Sequence, residues 1–338
     1  MGPASFATNQ NSLEDMDWLE RPKEWFGPST AWLEMKTIAP VQDGVIPLLP
    51  KTILSDDPGG PKRVTVKSAE RILALDISGS LAATVWALGL GDRLVGRDVS
   101  SDFPEIRGLP IVTSSGHTVS AEAILQLRPD LLITDGSIGP TDVITQLRQA
   151  GVTVVFTSEV PGLAAPGAMA RKVSTIFGIP EVGANLGNLL DEQIGEVVEA
   201  IERNTPKSSQ EKLRMVFLYI RGASGIYYLF GRESGSSELI EGLGGIDVAT
   251  EIGWTGLRPM TDEALIAANP DLILVMSQGL ESVGGAEALV RLKPAIGLTR
   301  AGKNLRFVDM ADSQILSFGP RTPQIMIALA QAIYDPRE

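Results

Sequence analysis

The feature that most constrains this chain is an internal repeat. "SAEAILQLRPDLLIT", starting at Ser120, aligns with "TDEALIAANPDLILV", starting at Thr261, at a constant offset of 141. Identical residues occupy the pairs Glu122/Glu263, Ala123/Ala264, Pro129/Pro270, Asp130/Asp271 and Leu131/Leu272. Each copy reads as a helix capped by Ser or Thr, a Pro-Asp turn and an apolar strand. Upstream, "RILAL" from Arg71 fits "RMVFL" from Arg214 at an offset of 143. Solenoid units repeat every ~20–50 residues, so a period this long implies two lobes of like architecture.

Between the copies, strand and helix patterns alternate. "RILALD", "DLLITD" and "VTVVFTS" are strand candidates, with "SLAATVWALGL" and "DVITQLRQAG" as helices between them. Alternation of this kind argues for an α/β fold: two similar Rossmann-like lobes with mainly parallel sheets. From Pro166 to Arg203 the apolar residues recur at spacings of three and four, as in one face of a long helix. Gly178-Ile179-Pro180 interrupts it, which predicts a kink or two helices end to end. "NTPKSSQEK" is a polar linker, after which the α/β pattern restarts. The expected organisation is an arm over 1–63, an N-terminal lobe over 64–165, a linking helix over 166–206 and a C-terminal lobe over 207–338. The arm carries seven prolines between Pro22 and Pro61 and tryptophans at Trp18, Trp25 and Trp32. It reads as a spacer, or as a strip that drapes its tryptophans over a neighbouring surface.

Two such lobes enclose a cleft, and ligands of open α/β sheets sit beyond the carboxyl ends of the strands. The single histidine of the chain, His117, falls in the loop just before the helix capped by Ser120. Its counterpart across the repeat lies near Arg258. The first strand of the second lobe ends "FLYIRG", which puts Tyr219 and Arg221 two apart on one face. His117 and Tyr219 are therefore expected on opposite walls. Imidazole and phenolate are both ligands of haem iron, and Fe(III) and a neighbouring Arg221 both favour the phenolate. Taken alone the pair is weak, because a lone histidine is more often merely solvated or hydrogen-bonded in place.

Composition removes other classes. A net charge of -12 and no Lys/Arg cluster argue against nucleic acid, whose phosphates need a basic patch. With no cysteine there is no disulfide, thiolate metal site or cysteine nucleophile. No apolar run approaches the ~18 residues that cross a bilayer. A basic, then apolar, export signal is absent from this sequence. The glycines of "LGLGDRLVG" at 89, 91 and 96 lack dinucleotide-site spacing, and Ser114 and Ser115 sit in no nucleophile turn. A metal site without haem would need carboxylates beside the one histidine.

The stretch from "VGRDVSSDFPEIRGLPIVTSSGHTVSAE" to "AGVTVV" resembles the haem-binding proteins of bacterial haem ABC importers. "GHTVSAE" looks like the loop that supplies an axial histidine, and "LYIRG" like the segment that supplies an axial tyrosine with its arginine. "GRESGSSELIEGLGG" and "NPDLILVMSQGLESVGG" look like second-lobe segments of the same group. The likeness runs from about residue 64 to the end, and "PDLL" is common to the wider superfamily that also binds cobalamin and ferric siderophores. It implies two lobes on a long rigid helix and no catalysis. It further implies ferric haem b as transported ligand of His117 and Tyr219, and docking of a monomer on an ABC permease and its ATPase. The docking residues implied are Glu122 and Glu241, although a glutamate in the first turn, as at 122, also suits the helix dipole. Met276 and Arg258 are pocket candidates, and Tyr227 or Tyr228 would replace Tyr219 if the strand register differs. The implied location is the periplasm or cell surface. Two other readings remain open: a siderophore or cobalamin receptor on the same fold, and an enzyme or cytoplasmic haem-handling protein.

Overall fold

The computed structural model describes residues 13–33, 37–114, 117–222, 225–259 and 261–336. Ser115 and Gly116, in the histidine loop, lie outside the described residues.

The first lobe is built on a parallel sheet of β4 (Ile72–Leu75), β7 (Leu131–Thr134) and β8 (Thr153–Phe156). A β2–β3 hairpin (Lys51–Ser55 and Lys62–Val66) precedes it. Every residue of β4 and β7 is buried, as expected of apolar strands covered on both faces. Around them lie α1 (Ser80–Val85), α2 (Ala121–Gln126) and α3 (Thr141–Gln149), with the small hairpin β5–β6 (Thr113–Ser114 and Thr118–Val119) before α2.

The second lobe carries a seven-stranded mixed sheet in the order β1-β14-β13-β9-β10-β12, with β11 also on β9. These are β1 (Ser29–Ala31), β9 (Arg214–Arg221), β10 (Ile226–Phe230), β11 (Ile246–Asp247), β12 (Leu257–Pro259), β13 (Leu272–Met276) and β14 (Phe307–Met310). Alternate residues of β9 enter different cores: Met215 and Phe217 on one side, Val216, Leu218 and Ile220 on the other.

The repeat is visible in hydrogen bonds. Asp130 accepts from the Arg71 N–H at 3.1 Å, and Asp271 from the Arg214 N–H at 3.0 Å. Each aspartate's own N–H returns to the same arginine's carbonyl, at 3.0 Å and 2.7 Å. The Ser120 hydroxyl caps α2 by accepting from Ala123 N at 3.2 Å; the Thr261 hydroxyl accepts from Ala264 N at 3.2 Å.

The interrupted helix differs from expectation. α4 (Ala165–Ile176) and α5 (Pro180–Asn204) do not run end to end; α4 folds back along α5. Small residues allow the close approach: a Cβ on Gly187 would stand 2.9 Å from the Gly167 carbonyl oxygen, and one on Gly183 2.8 Å from that of Ala170. Gly178, at φ +69°, makes the turn. α5 links the lobes, with Leu186 and Leu190 in the first core and Ile194, Val197 and Ile201 in the second.

The arm is not a spacer. Its β1 is an edge strand of the second lobe, parallel to β14. Trp18 packs 5.5 Å from the Tyr334 ring and Trp25 lies 6.0 Å from the Arg306 guanidinium, but Trp32 is 81% exposed. The boundary expected at residue 64 falls inside β3.

Candidate functional site

The lobes face each other across a cavity of about 450 Å³. The first lobe lines it with Asp76, Ile77 and Asp135 at strand ends and with Met169 of α4; the second adds Tyr219 and Met276. Phe230, Leu316 and Phe318 complete a largely apolar wall.

Tyr219 is the third residue from the end of β9, on the same face as Phe217, and its ring meets Phe230 at 6.1 Å. Arg221, two residues on, donates from Nε to the Tyr219 hydroxyl at 2.5 Å. The register places the other two tyrosines of the sequence reading in β10. Tyr227 stands opposite Ile220, is buried in the other core and carries Lys293 Nζ 4.3 Å from its ring. Tyr228 pairs with Tyr219 across the ladder but does not line the cavity.

His117 sits just before β6 with φ +59°, a left-handed conformation that a non-glycine residue adopts at a cost. The hairpin is pinned by the Val119 N–H, which donates to the Gly139 carbonyl at 2.8 Å. His117 is half-buried, and its Nδ1 is buried without a hydrogen-bond partner. Burial, and then the positive charge of Arg221, hold the imidazole below its ordinary pKa. The histidine of one lobe thus feels the arginine of the other, and at neutral pH it is the uncharged base that a metal requires.

Arg258, at the position equivalent to His117, lies on exposed β12 and donates to the Thr255 hydroxyl at 3.0 Å. Glu122 is exposed in the first turn of α2, 3.4 Å from Gln126. Glu241 is exposed in the last turn of α6 (Ser236–Gly242), at the end of that helix away from the cavity-lining Ser234.

Sequence reasoning passed over Asp76. At the offset of 143 it is the counterpart of Tyr219, and that offset was the signal that could have found it. It is fully buried, accepting from the Ser80 N–H at 3.0 Å, the Leu81 N–H at 3.0 Å and the Ser80 hydroxyl at 2.8 Å. Burial, reinforced by the charge of Asp98, pushes its pKa up to about 6. Asp312 also lines the cavity; burial raises its pKa while Arg221 partly offsets the rise. It and the apolar residues of the 316–318 loop had no motif to betray them.

The sequence pattern described as "periplasmic binding protein" matches residues 77–313, well over half the chain. The chain belongs to this family. Among solved structures it is similar to the heme binding protein HmuT, with a TM-score of 0.85, 39% identity and coverage of 93% of this chain and 99% of that one. Three further structures of HmuT carry single alanine substitutions, at a histidine, at a tyrosine and at an arginine two positions beyond the tyrosine. The periplasmic heme-binding protein RhuT from Roseiflexus sp. RS-1, in apo form, matches with a TM-score of 0.70 and 35% identity over 80% of this chain and 99% of that one. An uncharacterized ABC transporter substrate-binding lipoprotein, YvrC of Bacillus subtilis (strain 168), is 25% identical over 292 residues, covering 85% of this chain and 86% of its own.

Proposed function

We propose that the protein is the extracytoplasmic receptor subunit of a haem importer, capturing ferric haem b between its lobes and passing it to an ABC permease and its ATPase. His117 and Tyr219 are the axial ligands, and Arg221 supports the phenolate. Met276 meets the porphyrin and Arg258 a propionate. Glu122 and Glu241 meet the permease, and the receptor works as a monomer.

One observation carries the reading: Tyr219 lines the largely apolar cavity between the lobes, Arg221 donates to its hydroxyl, and the chain's single histidine, on the other lobe and outside that lining, lies close enough to feel the Arg221 charge. A buried, unpaired Nδ1 on an uncharged imidazole fits a ligand more than a structural histidine. The similar proteins HmuT and RhuT are named as heme-binding, which supports the same ligand here. Capture breaks no bond of the haem: it slides in edge-on, each lobe offers the iron one coordination bond as the Tyr219 hydroxyl gives its proton to solvent, and release, with that proton returned, follows when the permease spreads the lobes.

Titrating hemin into the purified protein tests this. A saturable Soret shift is expected, with affinity about 100-fold lower in Tyr219→Phe and about tenfold lower in His117→Ala, while Tyr228→Phe behaves as the parent. Absence of saturable binding, or parent-like spectra and affinity in both ligand variants, would overturn the reading; cobalamin and ferric siderophores would then be titrated in its place.

A further inference from the structure

We infer that residues 13–33 and 37–50 anchor a strap that ties the lobes together a second time and positions the His117-bearing lobe against the Tyr219-bearing one. Its functional consequence rests on the haem reading; its geometry does not.

The strap begins in the second lobe. Leu13, Met16, Ala31 and Leu33 are part of that lobe's core, and β1 adds to its sheet with Ser29 opposite Val308 and Ala31 opposite Met310. Leu19 N–H donates to the Tyr334 carbonyl at 2.8 Å. Arg306, a buried cation, pins the arm to the C-terminal helix. It donates to the Ser29 hydroxyl at 2.9 Å on one side and to the carbonyls of Ala332 and Ile333 at 3.3 Å and 2.7 Å on the other.

The strap ends on the first lobe. Ile38 and Val45 belong to that lobe's core. Trp86 Nε1 donates to the Ile38 carbonyl at 2.8 Å, and Ile38 N–H to Glu105 at 2.6 Å. Val41 N–H reaches the Ala87 carbonyl at 2.8 Å, and Leu48 N–H that of Phe177 at 2.9 Å. At Gly89, φ +82°, a Cβ would stand 2.2 Å from the Gln42 carbonyl oxygen, so the arm is seated where only glycine admits it.

The chain therefore crosses between the lobes at the strap as well as along α5. Leu33 and Ile38, buried in different lobes, are five Cα steps apart, which span at most about 17 Å when fully extended. Non-covalent contacts also join the lobes, such as the Arg321 guanidinium 5.9 Å from the Phe103 ring, but those break as the lobes part. A tether does not break; it sets a limit. Once Tyr219 holds the iron, the effective concentration of His117 depends on the range of separations open to its lobe, and a short second tether raises it.

Inserting ten Gly/Ser residues between Leu33 and Ile38 lengthens the tether and leaves both anchors intact. The chain has no cysteine, so Gln149→Cys and Glu287→Cys, exposed and on different lobes, accept spin labels cleanly. The labelled, haem-free insertion variant is expected to show a broader and longer inter-lobe distance distribution than the labelled parent. The insertion variant should also release hemin about tenfold faster with an unchanged Soret band at saturation. Trp86→Phe, which removes one anchoring hydrogen bond, should move both readouts the same way by less. An unchanged distance distribution in the folded insertion variant overturns the strap, whatever hemin does. A wider distribution in a chain that binds no hemin leaves the strap standing and removes the haem reading.

Discussion

The two lobes repeat one plan and differ where that plan meets the cleft. Asp130 and Asp271 hold the start of the central strand in the same way, and Ser120 and Thr261 cap corresponding helices. At the cleft the equivalences lose their chemistry: Asp76 stands where the other lobe has Tyr219, and His117 where it has Arg258. The first lobe thus presents a carboxylate and an imidazole, the second a phenol and guanidinium groups. Positions that shape loops tolerate no change of chemistry, because a buried N–H must keep its acceptor. Positions at strand ends answer only to whatever lies in the cleft. The repeated plan supplies the walls, and the unlike residues at its strand ends give one cleft two unlike faces.

Breaking the shared turn should hurt the lobes unequally. Asp271 is buried and carries three partners of note: the Arg214 N–H, Arg300 at 3.2 Å and Lys23 of the strap at 3.3 Å. Asp130 is half-buried and receives the Ser68 hydroxyl at 2.5 Å with the N–H groups of Glu70 and Arg71. Asp271→Ala removes the partner of two solvent-accessible cations as well as the acceptor of an N–H, and should cost about 3 kcal/mol. Asp130→Ala should cost about 2 kcal/mol. Urea unfolding of both variants checks the ranking, and equal losses would mean that the cations around Asp271 contribute nothing.

How legible this was depended on whether local sequence carried the cause. The repeat and its capped helices could be read because a Ser or Thr before a Glu-Ala helix and a Pro-Asp turn before an apolar run are short-range signals. Tyr219 could be placed at the cavity because a strand end located it, and the offset put His117 in a loop of the opposite lobe. The fold-back of α4 on α5 could not be read, since Gly167, Gly183 and Gly187 announce close packing only once a partner helix is known. Nor could β1 be read as part of the second lobe: its pairing with β14 joins residues nearly the whole chain apart. Asp76 was hidden because an aspartate after a strand looks like an ordinary turn residue until burial is known.

The asymmetry of Asp76 and Tyr219 should appear in pH dependence. The folded pKa of Asp76 is about 6 against an ordinary value of 3.8, so the native state binds the proton more tightly. Its contribution to stability is then full below about 4 and is lost as pH rises through 6, by about 3 kcal/mol in all. Asp98 and Asp312, also raised, act in the same direction. His117 opposes them, since its lowered pKa favours the neutral ring and loses stability as pH falls. Unfolding free energies measured between pH 4 and pH 6.5 should decline with pH in the parent and flatten in Asp76→Asn, with Tyr219→Phe keeping the parent slope. A parent profile that is flat or rising would remove the buried carboxylate from the comparison.

The smallest expected effect sharpens the comparison most. Ser120→Ala and Thr261→Ala each delete one capping hydrogen bond of the same 3.2 Å length, and each should cost about 1 kcal/mol. Their consequences for ligand binding should nevertheless differ. Ser120 follows directly on β6 and holds the helix against which the His117 hairpin turns, so loosening it widens the positions open to the imidazole. Thr261 follows β12, whose exposed Arg258 is assigned to a propionate and not to the iron and is steadied by the Thr255 hydroxyl, so a frayed cap there disturbs no axial ligand. Hemin affinity should therefore fall about two- to threefold in Ser120→Ala and stay at the parent value in Thr261→Ala, since a few tenths of a kcal/mol of lost positioning is all that one frayed cap supplies. Equal losses of affinity would mean that the caps act only through global stability, and that the repeated helices contribute alike to the fold but neither to the placement of a ligand.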